Sequence, residues 1–185
     1  MARVLLIRHC QTNGKLAESP LTEVGHTQAA QLATWLAGRG IDRIVASPAE
    51  RAIDTVRPFA TATGLELELD PRLVERRMPR YPTFETFLEG VRAAMEDRTL
   101  RPDGGETGLE VTARAWPALI EALDRENAVT VLATHGQLAA HLLREIDGSS
   151  GYELWRALTM PDVFEIWRDS RLQARRVSPE SRARG

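Results

Sequence analysis

The chain has 185 residues, of which 43% are hydrophobic, and a formal net charge of −2 at pH 7. This length suits one domain with a sizeable core, and the small net charge argues against a broad basic surface for nucleic acid. Cys10 is the only cysteine, which excludes an intramolecular disulfide and a thiolate metal cluster. The apolar run at residues 4–7 is too short for a signal sequence or a membrane span. We therefore expect a cytoplasmic protein with no nucleic-acid or membrane partner.

The first part of the chain alternates between strand and helix patterns. Short apolar runs predict buried strands, and amphipathic stretches that end in glycine predict helices. Ser47-Pro48-Ala49-Glu50 is typical of a helix start with a serine cap. The predicted elements are a strand at 3–7, a helix at 22–37, a strand at 41–46, a helix from 47 to 63 and a strand at 65–69.

The second part continues the alternation and then changes character. Pro117 lies inside a helical pattern and is expected either to kink that helix or to split it. Thr134-His135-Gly136-Gln137 is typical of a capping box that begins a helix, and two short strand patterns around Asp169-Ser170 predict a hairpin. The predicted elements are helices at 84–97 and 106–124, a strand at 129–133, a helix after it, and strands at 163–168 and 171–177.

This order of elements predicts an α/β fold. We expect a three-layer α/β/α sandwich with a mostly parallel central sheet and an antiparallel edge strand or hairpin near the C-terminus. Residues 1–177 are expected to form one domain, and the polar tail at 178–185 is expected to be disordered. In such sheets ligands bind beyond the carboxyl ends of the strands, so residues that follow strands are candidates for a functional site.

Polar side chains of matching chemistry follow four of the predicted strands. An arginine in the first turn of a helix opposes the helix dipole, so it needs another reason to be there. A neutral imidazole attacks a phosphoryl group without help from a metal, and one guanidinium about 4 Å from a phosphate gains roughly 4 kcal/mol at an effective dielectric near 20. A carboxylic acid would protonate the leaving alkoxide and then activate water. The residues are Arg8, His9, Arg51, Glu75 and His135.

Five segments occur in a fixed order between residue 4 and about residue 146. They are RHCQT at 8–12, LTEVGHTQA at 21–29, SPAERAIDT at 47–55, GGET at 104–107 and THG at 134–136. Each is modest alone, but together they resemble the motifs of the histidine phosphatase (phosphoglycerate mutase-like) superfamily. The resemblance implies an enzyme that passes a phosphoryl group through a histidine, with no metal and no cofactor.

The resemblance also implies roles for individual residues. His9 would be the phosphorylated nucleophile, and Arg8, Arg51 and His135 would hold the phosphoryl oxygens. Glu75 stands where the family places its proton donor, with Glu106 as the second candidate. The residues implied to contact substrate are Gln11, Thr12, Asn13, Glu106 and Gly136.

The chain departs from the family pattern at two places. Cys10 occupies the usual glycine position, so the backbone there must avoid dihedral angles that only glycine adopts; the thiol is either a small buried filler or oxidation-sensitive. Glu75 is followed by RRMPR at 76–80 in place of the usual glycine- and glutamate-containing segment. These arginines either form a solvated charged face or read a second acidic group on the substrate.

The predicted function is metal-independent hydrolysis of a small phosphomonoester through a phosphohistidine on His9. Two alternatives stay open: phosphoryl transfer of the phosphoglycerate mutase type, and a homologue that binds phosphate without turnover. A metal hydrolase is disfavoured because the four histidines lack a ligand pattern such as His-Glu-x-x-His. The identity of the small phosphorylated metabolite and the oligomeric state stay undetermined at this point.

Overall fold

The computed structural model describes residues 1–14, 18–148 and 151–178. A six-stranded sheet forms its centre, built from β1 (Arg3–Arg8), β2 (Arg43–Ala46), β3 (Leu67–Leu69), β4 (Val129–Thr134), β5 (Asp162–Arg168) and β6 (Leu172–Arg176). The helices are α1 (Glu23–Leu36), α2 (Glu50–Thr63), α3 (Phe84–Glu96), α4 (Gly108–Leu123), α5 (Gly136–Asp147) and α6 (Gly151–Ala157), with a 3₁₀ turn at Pro71–Leu73.

The strand order is β3-β2-β4-β1-β5-β6. The first four strands are parallel, whereas β5 runs antiparallel to β1 and β6 antiparallel to β5. Apolar side chains cover both faces of the sheet: one core cluster includes residues of α1 and α2, and the other includes residues of α4 and α5. The predicted three-layer α/β/α architecture with an antiparallel C-terminal hairpin is confirmed.

Strand register brings the predicted site residues to one level. Arg8, the last residue of β1, pairs with Thr134, the last residue of β4. The amide of His9 donates to the carbonyl of Thr134 (3.0 Å), and the amide of Ser47 donates to the carbonyl of Ala133 (2.9 Å). The chain therefore leaves β1, β2 and β4 at the same edge of the sheet.

Two predicted helix caps are wrong. Ala49, not Ser47, is the N-cap of α2, because the Ser47 hydroxyl is paired with the His135 ring instead (2.8 Å). α5 begins after His135 without a side-chain cap of its own. The Thr134 hydroxyl, which the capping box would require, belongs to the end of β4 and donates to the carbonyl of Leu73 (2.7 Å).

Three other details differ from or complete the predictions. Pro117 neither splits nor ends α4. Because proline has no amide proton, the carbonyl of Ala113 lacks its helical hydrogen-bond partner. Both residues are exposed, so water can supply that hydrogen bond.

The helix α6 was not predicted. Ser178, assigned to the tail, is buried at 4% exposure and hydrogen-bonded to Asp162 and Val163, while residues 179–185 lie outside the described part of the chain. Within the described part, no helix is long and apolar enough to cross a membrane.

Candidate active site

His9 and His135 lie side by side because β1 and β4 are neighbours in register. Their ring centroids are 5.3 Å apart, with the planes at 65°. His9 is 7% exposed and His135 is fully buried. Two residues separated by more than a hundred positions therefore form one imidazole pair at the carboxyl edge of the sheet.

The His9 ring is oriented by its neighbour in sequence. Its Nδ1 lies 2.7 Å from the carbonyl oxygen of Cys10, and because a carbonyl only accepts, Nδ1 must carry the proton. Burial is the largest cause that lowers the pKa of His9 to about 3. The Cys10 hydrogen bond raises this pKa, and the charges of Arg51 and Arg8 lower it further. In the neutral ring the lone pair is then on Nε2.

Cys10 fills space and holds the backbone beside His9. Its amide donates to the hydroxyl of Thr55 (2.9 Å), and burial raises the pKa of its thiol to about 12. Among the described non-glycine residues only Asn127 has a positive φ, so Cys10 adopts an ordinary conformation where the family has glycine. The small buried filler is therefore the interpretation that the geometry supports.

Two arginines, the half-buried Arg8 and the buried Arg51, lie near the imidazole pair. Arg8 donates through Nη1 to the carbonyl of Leu158 (2.9 Å) and, at 3.4 Å, to that of Thr159. Arg51 lies in the first turn of α2 and is 5% exposed. Burial lowers the pKa of both guanidiniums, and the charge of Glu75 opposes that shift in both. They supply positive charge in a region largely removed from water.

His135 is held by Ser47 across the sheet. The Ser47 hydroxyl accepts from the Ala49 amide (3.3 Å) and lies 2.8 Å from Nε2 of His135. Burial first, and then the Arg51 charge, lower the pKa of His135 well below its usual value, so the ring is neutral.

Two buried nitrogen atoms of the site have no hydrogen-bond partner among the described residues. They are Nε of Arg8 and Nδ1 of His135. Arg8 Nε is always a donor, and His135 Nδ1 is a donor when the Ser47 hydroxyl donates to Nε2. A buried donor without an acceptor costs free energy. The arrangement therefore fits a site in which a bound anion accepts hydrogen bonds from these two nitrogen atoms.

Glu75 reaches the site from the segment after β3. Its carboxylate accepts from the amides of Gln137 (3.1 Å) and Leu138 (3.1 Å) in the first turn of α5, and from the amide of Arg76 (2.8 Å). Glu75 therefore caps α5, the role that sequence analysis assigned to Thr134. All three donors are backbone groups.

Glu106 is tied to an arginine that sequence analysis did not select. Arg114 of α4 binds both of its oxygens, through Nε (2.9 Å) and Nη2 (3.1 Å), and the Arg77 amide adds a third bond (2.8 Å). Burial raises the pKa of Glu106, but the Arg114 and Arg77 hydrogen bonds outweigh it, so the pKa is lowered overall.

The arginines after Glu75 divide into two kinds. Arg76 is 3% exposed and its guanidinium donates to the carbonyl of Glu106 (2.9 and 2.8 Å) and to that of Ala94 (3.1 Å). Arg77 and Arg80 are exposed. The expectation of a solvated charged face is therefore wrong for Arg76. Its side chain is buried, and backbone carbonyl groups of two other segments accept its hydrogen bonds.

Three of the predicted substrate contacts, Gln11, Thr12 and Asn13, lie in the loop that follows β1. The side-chain oxygen of Gln11 accepts from the Thr22 hydroxyl (2.8 Å), and the backbone amide of Gln11 donates to the side-chain oxygen of Gln28 (2.9 Å). The Thr12 hydroxyl donates to the carbonyl of Pro20 (2.7 Å). Asn13 is exposed.

Gly136, the remaining predicted contact, opens α5 beside Arg8. A Cβ atom there would lie 3.1 Å from Nε of Arg8 and 3.2 Å from Nε1 of Trp155. A side chain at this position would therefore press against the Arg8 guanidinium and the Trp155 indole, and both would have to shift by a few tenths of an ångström.

Sequence analysis missed the residues that support the site. Ser47 and Thr55 lie in the motif at 47–55, yet no contact within the site was predicted for either of them. Arg114 and Trp155 carried no signal of their own, since each acts through a contact with a distant segment. No cluster of metal-ligating side chains occurs in residues 1–14, 18–148 and 151–178.

Comparison with known proteins agrees with this geometry. The model of the histidine phosphatase superfamily (branch 1) matches residues 4–176. Glucosyl-3-phosphoglycerate phosphatase of Mycobacterium tuberculosis (strain H37Rv) is 32% identical over 163 residues, 76% of this chain and 73% of that protein. A probable phosphoglycerate mutase of Proteus mirabilis (strain HI4320) is 32% identical over 169 residues, 82% of this chain and 78% of its own.

Solved structures share the fold along almost the whole chain. A mycobacterial glucosyl-3-phosphoglycerate phosphatase in complex with inorganic phosphate has a TM-score of 0.78 and 29% identity, covering 96% of each chain. Its native structure has a TM-score of 0.76 at the same identity. Motifs, site geometry and matched relatives agree, and the chain belongs to the histidine phosphatase superfamily.

Proposed function

We propose that this protein hydrolyses a small phosphomonoester through a phosphohistidine on His9. The observation that carries the proposal is the orientation of the His9 ring. Its Nδ1 donates a hydrogen bond to the carbonyl oxygen of Cys10, at a distance of 2.7 Å between the two atoms. This bond leaves the Nε2 lone pair for attack on phosphorus. Burial and the neighbouring arginines keep the ring neutral, since they lower its pKa to about 3, and a neutral imidazole needs no activating base.

The positive groups around His9 suit a phosphoryl group. Arg8 and Arg51 balance its charge, and the unpaired nitrogen atoms Arg8 Nε and His135 Nδ1 offer two donors to its oxygens. Such preorganised donors stabilise the charge of the transition state more effectively than water does.

In the first step Nε2 of His9 forms a bond to phosphorus while the bond from phosphorus to the ester oxygen breaks. The leaving oxygen takes a proton from a carboxylic acid. In the second step the oxygen of a water molecule forms a bond to phosphorus while the bond from phosphorus to Nε2 of His9 breaks. The same carboxylate takes a proton from that water, and inorganic phosphate leaves.

Glu75 suits this acid and base role better than Glu106. Backbone amides are the only hydrogen-bond donors that contact Glu75 among the described residues, whereas a bidentate bond to Arg114 holds Glu106 as a carboxylate. A carboxyl paired with arginine donates a proton poorly, because the adjacent positive charge favours the ionised carboxylate. We therefore assign proton transfer to Glu75 and a structural role to Glu106.

Hydrolysis of p-nitrophenyl phosphate in excess EDTA tests the proposal. We expect turnover that resists EDTA and falls by at least about a thousandfold in His9→Ala, because removal of the nucleophile leaves only the binding groups. His26→Ala is the matched control, since His26 is exposed on α1, and it should keep native activity. Activity that persists in His9→Ala contradicts the proposal.

Two related proteins have names that suggest different outcomes, a phosphatase and a probable mutase. A mutase would return the phosphoryl group to phosphoglycerate faster than it releases inorganic phosphate. The same assay with phosphoglycerate as substrate therefore distinguishes a phosphatase from a mutase. Inorganic phosphate that is released as fast as phosphoglycerate is consumed supports hydrolysis. Binding of phosphate without any turnover would indicate a non-catalytic homologue.

A further inference from the structure

A cluster of aromatic side chains lies beside the imidazole pair and has no role in the phosphoryl chemistry. It belongs to a small core between α3, α5 and α6, in which Val91, Met95, Ala140 and Tyr152 are buried. Met78, Phe87 and Trp155 pack against that core and stay partly exposed. The cluster therefore presents apolar surface to solvent on one side.

Trp155 connects this cluster to the phosphate-binding groups. The indole Nε1 of Trp155 and the Nε of Arg8 lie 3.2 and 3.1 Å from the point where a Cβ of Gly136 would be. Arg8 also donates to the carbonyl of Leu158 just after α6. The indole therefore stands at the edge of the site that Arg8 helps to form.

From Trp155 the aromatic rings continue outward. Phe87 packs edge-on against Trp155, with centroids 6.1 Å apart, and Tyr81 and Phe84 lie 5.8 and 6.2 Å from Phe87. Phe84 is 71% exposed. A side chain at Gly90 would collide with the Tyr81 hydroxyl, so glycine there lets Tyr81 lie across α3. We call these four residues, Trp155, Phe87, Tyr81 and Phe84, the aromatic wall.

The segment that carries the proposed proton donor leads into the wall. Glu75, assigned above as proton donor, must contact the leaving oxygen. The chain runs from Glu75 directly through Met78, which packs in the same cluster, to Tyr81. One short segment therefore joins the proposed proton donor to the wall, whose Trp155 approaches Gly136 together with Arg8.

We propose that the aromatic wall is the leaving-group subsite and that it selects phosphomonoesters whose alcohol carries a ring, aromatic or sugar, over esters of short linear alcohols. The inference deepens the function proposed above and rests on it. Rings stack on aromatic faces and edges, whereas a three-carbon chain covers little of this surface.

The test compares two esters whose alcohols have similar acidity, benzyl phosphate and propyl phosphate. We expect the native protein to favour benzyl phosphate by about tenfold in kcat/KM, which corresponds to one well-packed aromatic contact. Phe87→Leu with Trp155→Leu should reduce that preference to about twofold or less. Trp35→Leu is the control, because Trp35 lies near the far end of α1 against Arg39, and it should leave the preference unchanged.

Equal kcat/KM for the two esters in the native protein, or a preference that survives the paired substitution, would overturn the inference. Equilibrium binding of both esters to His9→Ala gives the same comparison without turnover. If the native protein hydrolyses neither these two esters nor p-nitrophenyl phosphate, the proposed function fails, and the ratio of the two dissociation constants still decides whether the subsite exists.

Discussion

Three histidine side chains are buried, and each of their imidazole rings is neutral. Burial lowers the pKa of His9 and of His141 to about 3, and that of His135 well below its usual value. Two of them, His9 and His135, are the ones proposed above to take part in the phosphoryl chemistry. His141 instead lies in α5 beside the Arg76 guanidinium (3.4 Å), and its ring occupies the space that a side chain at Gly108 would need.

These pKa shifts predict how stability depends on pH. Between pH 6.5 and about 3 the unfolded chain binds protons on these rings that the native protein does not bind, so the free energy of unfolding decreases as the pH falls through this window. The cost is about 1.4 kcal/mol per pH unit and per histidine. Urea unfolding at pH 7, 6 and 5 should show this decrease.

His141→Leu isolates one of the three histidines. Its free energy of unfolding should fall less steeply between pH 6.5 and 5, by about 1.4 kcal/mol per pH unit. Replacement of the exposed His26 by Leu should leave the slope as it is. An unchanged slope in His141→Leu would show that this ring is protonated in the native protein.

At the scale of elements, one carboxyl group both caps α5 and is proposed to transfer the proton. Glu75 binds two amides of the first helical turn, so the helix end fixes the carboxyl beside His135, its N-cap. Glu106 binds Arg114 and so connects the start of α4 to the segment that carries Glu75. The two glutamates should therefore respond differently to the same substitution.

Glu75→Gln should lower kcat/KM for propyl phosphate by about 100-fold or more, because general acid catalysis contributes at least that much when the leaving group is a poor one. The loss should be smaller for p-nitrophenyl phosphate, whose leaving group departs without a proton. Glu106→Gln should reduce the rates for both esters by a similar factor. A larger leaving-group effect in Glu106→Gln than in Glu75→Gln would reverse the assignment.

On the scale of the whole molecule, the fold followed from features that are local in sequence. Apolar runs for β1 and β4, glycines after helices and the polar hairpin at Asp169-Ser170 predicted the layers and the antiparallel end. Polar residues after four of the predicted strands indicated which side chains would gather at the carboxyl edge, since parallel strands in register end together.

The site contacts that were not predicted depend on pairs of residues in distant segments. Ser47 matches a helix cap locally, yet its partner is His135, 88 positions away. Glu75 replaces Thr134 as the cap of α5 from 62 positions away. Arg76 is part of a charged run, yet it is buried by carbonyl groups of Glu106 and Ala94. Periodicity and local motifs contain no information about such pairs.

The most direct test of the central claim is to trap the phosphorylated protein. The protein is mixed with p-nitrophenyl phosphate, quenched in base within milliseconds, digested with trypsin and analysed by mass spectrometry. Cleavage after Arg8 and Lys15 isolates residues 9–15, in which His9 is the only histidine. We predict that this peptide gains the mass of one phosphoryl group and that the gain is absent in His9→Ala. A phosphoryl group on another peptide, or rapid turnover with no phosphorylated peptide at any quench time, would contradict the account.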